Sequence, residues 1–84
     1  MAMASAFDVV SEELERRTFF DRLQARGTLR IAVRDADLDA KTASASELAH
    51  VITTSLPHEL DVRGVESAEA VCRSIRDLLL RVHT

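Results

Sequence analysis

Two glycines, one proline and one cysteine punctuate a chain of 84 residues, and it has no tryptophan and no tyrosine. Each scarcity excludes something. An all-β fold needs turn residues at short intervals, so so few glycines and prolines point to helices with few breaks. A lone cysteine, Cys72, has no partner for an intramolecular disulfide, so the fold does not depend on oxidation. Three phenylalanines are the only aromatic residues. The core must therefore be aliphatic, and no aromatic platform is available for stacking bases or sugars. No window approaches a membrane span, and "MAMASAF" lacks the positive region and apolar run of a secretory leader. The expected setting is cytoplasmic, with no membrane partner.

The formal charge is −3, whereas a chain that lives on nucleic acid usually presents a basic face. Its cations are ten arginines and one lysine (Lys41), a skew that fits a GC-rich bacterial coding sequence. Apolar residues make up 46%, which is normal for a globular chain. A chain this short buries a modest fraction of its surface, so a partner or a second copy would help it.

Phe7, Val10 and Leu14 share one helical face from a start near Ser5 or Asp8. At about 100° per residue, Phe19, Phe20 and Leu23 fall on roughly the opposite face. Two explanations compete. The helix breaks near Arg17–Thr18, with Thr18 as a new N-cap and Asp21 in the first turn. Or it continues and buries both faces, one of them against another chain. The run "EELERRTFFDRLQARG" has no proline or glycine before Gly27, and Glu12–Arg16 and Glu13–Arg17 stand at i,i+4. That favours a continuous helix ending at Gly27.

Thr28 then caps a segment, "LRIAVRDADLD", that fits either a helix face or strand alternation. A strand here would lack a convincing partner, so helix is expected, ending near Ala36. "DLDAKTAS" is a loop. Ser44 and Glu47 form a capping box for the helix that carries Leu48, Val51, Ile52 and Leu56. Pro57 opens the short turn "PHELDV", Gly64 ends it, and Ser67 caps the last helix with Glu69 in its first turn. Val71, Ile75, Leu78, Leu79 and Val82 form its stripe, and Arg81 and His83 suit its C-terminal end. The expected fold is all-α, a compact bundle of four or five short-to-medium helices. Residues 1–84 form a single helical domain, with residues 1–5 a disordered N-terminus.

Several constellations approach known chemistry and miss it. Asp35, Asp37 and Asp39 occupy the first, third and fifth positions of a calcium loop, but Ala40 stands where glycine is required and Ser46 where a glutamate is. His58–Glu59 begins like a zinc-protease helix, but the second ligand position is Val62. The same His58 could serve an orphan phosphotransfer or phosphate-responsive role, but no surrounding pattern supports one. Cys72 sits on or near the stripe of the last helix and reads as a core or boundary residue; His50 is the nearest idea of a base for it. No phosphate loop or nucleophile elbow is present. The expectation is therefore no enzyme, no metal and no cofactor.

What remains is interaction. Residues 57–76 have the outline of a helix-turn-helix, with Ser67, Arg73 and Arg76 as candidate DNA contacts. The turn is about one residue too long for the usual spacing. Glu66 and Glu69 would also face phosphates. The favoured function is a non-catalytic protein–protein interaction, assembly or adaptor module that associates with itself. Its expected anchors are Phe19, Phe20 and Leu23, rimmed by Arg16, Arg22 and Arg26, because aromatic residues and arginine most often carry interface energy. The partner is another protein or a second copy, with nucleic acid the alternative.

Overall fold

A computed structural model describes residues 5–82 as five helices and no strand. They are α1 (Ala6–Arg17), α2 (Arg22–Asp35), α3 (Ala45–Thr54), α4 (Leu56–Val62) and α5 (Ala68–Val82). The all-α bundle expected from composition is therefore present, including helix rather than strand over residues 28–35. The disorder expected of the first residues, and the role given to His83, lie outside the described residues, although Ser5 itself is ordered as the N-cap of α1.

One aliphatic cluster joins all five helices. Val10 and Leu14 of α1, Leu29 and Val33 of α2, Leu48, Val51 and Ile52 of α3, Leu56 and Leu60 of α4, and Ile75 and Leu79 of α5 are fully buried in it. α5 packs mainly on α3, and α1 lies against α2 and α5. Each fully buried side chain of this size contributes about 1.5–3 kcal/mol relative to exposure, so this cluster dominates the stabilising terms.

The continuous first helix is not what forms. α1 stops at Arg17, and Thr18 is its C-cap rather than the N-cap of a new helix. The Thr18 amide donates to the Leu14 carbonyl at 3.1 Å, and its hydroxyl donates to the same oxygen. The hydroxyl in turn accepts from the Phe20 amide at 3.1 Å. Asp21, in extended backbone, caps α2 by accepting from the Gln24 amide at 2.8 Å. The chain thus turns between two bonded caps, and the jump in apolar face comes from that turn.

Gly27, expected to end a helix, lies inside α2. Thr28, expected as a cap, is a buried helical residue beside Ala25 and Leu29. Burial of that face outweighs the roughly 1 kcal/mol that an internal glycine costs. The true stop is Asp37, with φ +59. Its amide donates to the Arg34 carbonyl at 2.9 Å, and the Leu38 amide to Val33 at 3.1 Å. This is the double bond pattern of a Schellman end, with Leu38 as the apolar residue that follows it. α4 ends the same way on Gly64 at φ +84, with Gly64 bonded to Asp61 and Val65 to Leu60, each at 3.0 Å.

The capping box at Ser44 is complete: Ser44 Oγ accepts from the Glu47 amide at 3.1 Å, and Glu47 Oε1 accepts from the Ser44 amide at 2.9 Å. Glu13 pairs with Arg17 at 2.9 Å as expected, but Arg16 also turns to Glu13, at 3.1 Å, and not to Glu12. Ser67 precedes α5 with φ +56, outside the extended backbone of a usual N-cap, and its carbonyl accepts from the Val71 amide at 3.0 Å.

The two glycines should respond oppositely to alanine. A Cβ on Gly27 meets nothing within 4 Å, so Gly27→Ala should stabilise by about 1 kcal/mol. Gly64→Ala, forced into the left-handed region, should destabilise by about 1–2 kcal/mol. Urea melts of the two variants check the opposite signs.

Candidate functional site

The corner between α1 and α2 divides the expected anchors. Phe20 is 3% exposed and belongs to the core, whereas Phe19 is 66% and Leu23 81% exposed. The turn between the Thr18 and Asp21 caps causes the division, because Phe19 and Phe20 lie in the non-helical link and do not share a helical face. The two rings meet edge to face, 5.3 Å between centroids at 88°. Phe20 is thereby removed from the set of surface anchors, and Phe19 and Leu23 stand alone on the outside of the corner.

The arginine rim divides too. Arg16 and Arg22 are exposed beside the corner. Arg26 is not part of a rim. Its guanidinium bonds Asp8 Oδ1 at 2.9 Å and lies over the Phe7 ring, 5.2 Å from the centroid. The hydrogen bond from Arg26 is the main reason the Asp8 carboxyl is held below its ordinary pKa, and the Ser5 cap adds to it. Arg26 therefore fastens α2 to the first turn of α1.

Sequence reasoning missed a feature of α2. With the helix continuous through Gly27, Arg22, Arg26, Arg30 and Arg34 follow one another at i,i+4. Arg26, Arg30 and Arg34 line a groove of about 630 Å³ that also takes in Ser5 and Asp8 from the start of α1 and Lys41 from the α2–α3 loop. The spacing was visible in the sequence, but a helix stop placed at Gly27 cut the row in two.

The other candidates sit elsewhere. Asp35, Asp37 and Asp39 form no metal cage. Asp37 terminates α2, and Asp39 Oδ1 accepts from the Lys41 amide at 2.8 Å. Among the described residues, no three histidine, cysteine or acidic side chains are grouped to hold a metal. Glu59, next to His58, is held by Arg63. On α5, Arg73 is exposed, and Arg76 is half-buried and lies 3.3 Å from Asp77. Ser67, Glu66 and Glu69 are exposed at the front of that helix. The two glutamates place negative charge where a DNA-reading helix would meet phosphate.

Cys72 is 2% exposed in the core. Burial, with Glu69 adding to it, pushes the thiol up to about 12. The groove of about 410 Å³ beside it is lined by His58 and Arg73, while His50 lies outside that lining. A thiol held protonated is a poor nucleophile. Native protein should accordingly resist iodoacetamide at pH 8 and react at the rate of an ordinary cysteine once denatured. Fast native labelling would contradict this placement.

No helix among the described residues is long and apolar enough to cross a membrane. No protein-family model matches the chain, no curated protein matches it, and no solved structure matches it.

Proposed function

We propose that this protein is a non-catalytic, cytoplasmic interaction module that associates with itself through the α1–α2 corner. The observation that carries the reading is the pair of large apolar side chains, Phe19 and Leu23, 66% and 81% exposed within four residues at one turn. The other exposed large apolar side chains among the described residues, Ile31, Val62 and Val82, are spread over α2, α4 and α5. The charges around the corner suit a second copy. Glu15, Arg16, Asp21 and Arg22 are all exposed there. A surface carrying both signs can meet its own image across a two-fold axis without net repulsion. The protonated, buried Cys72 supports a non-catalytic role and needs no oxidising compartment.

Magnitudes set the expected strength. Two Phe and two Leu side chains buried across a two-fold contact contribute about 6–12 kcal/mol, against about 4–15 kcal/mol of lost freedom. A contact confined to the corner is therefore weak and depends on concentration.

Light scattering after size exclusion tests the reading. The wild type should shift from monomer to dimer across the micromolar to submillimolar range. Phe19→Asp with Leu23→Asp should remain monomeric throughout while keeping the wild-type melting temperature within a few degrees. Phe20→Ala serves as the contrast and should lose about 3–5 kcal/mol of stability as a core truncation. A wild type that stays monomeric, or a dimer that survives both corner substitutions, would sink the proposal.

A further inference from the structure

The ion pairs inside the fold leave three cations over at one place. Arg30, Arg34 and Lys41 line the groove between the start of α1 and the α2–α3 loop, and none has a salt-bridge partner among the described residues. Arg26 shares the lining but is paired with Asp8. The only other lining carboxylate is Asp39. The groove is thus locally basic in a chain whose net charge is −3. Like charges at i,i+4 disfavour a helix, so the arginine row carries a cost that a bound anion would relieve.

We propose that this groove binds a compact ligand carrying two or more phosphate groups. Its volume of about 630 Å³ falls within the range of small-molecule sites. Arg30 and Arg34 are separated by about 6 Å along the helix axis, so their forks suit successive phosphates rather than a single one. Lys41 reaches the groove from a different element, so the charges converge instead of forming a flat solvated face. Recognition rests on charge and not on a base. The one aromatic ring in the lining, Phe7, is 6% exposed and lies under Arg26. The site is separate from the corner, and one chain supplies its whole lining.

Calorimetry and thermal melts with tripolyphosphate at low salt provide the test. One saturable site is expected, with a melting temperature that rises with ligand concentration. Arg30→Glu with Arg34→Glu should weaken binding by about a hundredfold or more, as two charge-assisted contacts are lost. Lys41→Glu should weaken it as well. Arg73→Glu, in the groove beside Cys72, should leave binding unchanged, and circular dichroism should show full helicity in each variant. Vesicles with a doubly phosphorylated inositol lipid, set against phosphatidylserine vesicles, separate a lipid headgroup from a free ligand. Selective binding of either the soluble polyphosphate or the inositol lipid supports the site. Absence of binding to both would overturn it, as would equal loss in Arg73→Glu. Citrate binding as tightly as tripolyphosphate would overturn the phosphate assignment. Tighter binding of a short DNA duplex, abolished by the same two substitutions, would reassign the face to nucleic acid.

Discussion

The Thr18 hydroxyl donates to the Leu14 carbonyl and accepts from the Phe20 amide. Through these two bonds one side chain closes α1 and starts the turn toward α2. The constraint behind it is core size. A chain of 84 residues has one interior, and a straight helix through Thr18 would carry Phe20 away from it. Turning at Thr18 returns Phe20 to the cluster that holds Leu14 and Leu29. The turn also sets α2 back against α1, where Arg26 reaches Asp8 and covers Phe7. The corner surface and the basic groove both follow from this reversal.

Features written in short range were legible in the sequence. Ser44–Glu47, Ile75 and Leu79 on α5 and the stop at Gly64 each depend on residues within a turn or two. The rest of the stripe expected on α5 differs: Val71 and Leu78 are only half-buried, Val82 is exposed, and Ala68 and Cys72 complete the buried face. The break in the first helix was visible as a jump in apolar face, but its cause was not. A two-sided helix and a kinked one give the same periodicity, and the choice depends on what the second face meets in three dimensions. Gly27 shows the reverse case. Glycine marks helix ends by propensity, yet Ala25, Thr28 and Leu29 bury a face that runs through it. Asp37 takes the stop instead, in a left-handed conformation that aspartate tolerates better than most residues.

The candidate surface was half legible for the same reason. Phe19 and Leu23 were identifiable as apolar residues out of phase with Phe7 and Leu14. Phe20 is not separable from Phe19 in the sequence, because helical spacing keeps adjacent residues on one broad face and only a break in the helix lets their burial differ. Arg26 reads as a rim residue in the sequence because its partners, Phe7 and Asp8, lie eighteen or more positions away. The arginine row needed only the correct end of one helix to become visible.

The two surfaces lie on the same helix and constrain each other. Leu23 stands at the start of α2 and Arg34 near its end, about 16 Å along the axis at 1.5 Å per residue. A self-contact spreading along the whole outer face of α2 would set the arginine rows of two copies against each other, and unpaired like charges in a contact are costly. The corner has Glu15 and Asp21 to offset Arg16 and Arg22, and the basic groove has no such surplus of carboxylates. On the proposed self-association, electrostatics would favour a two-fold contact confined to the corner, with the groove open in the pair. An anion seated on Arg30 and Arg34 would lift that confinement by neutralising the far end of the helix. The size of the self-contact and the occupancy of the groove would then be linked through the charge on α2.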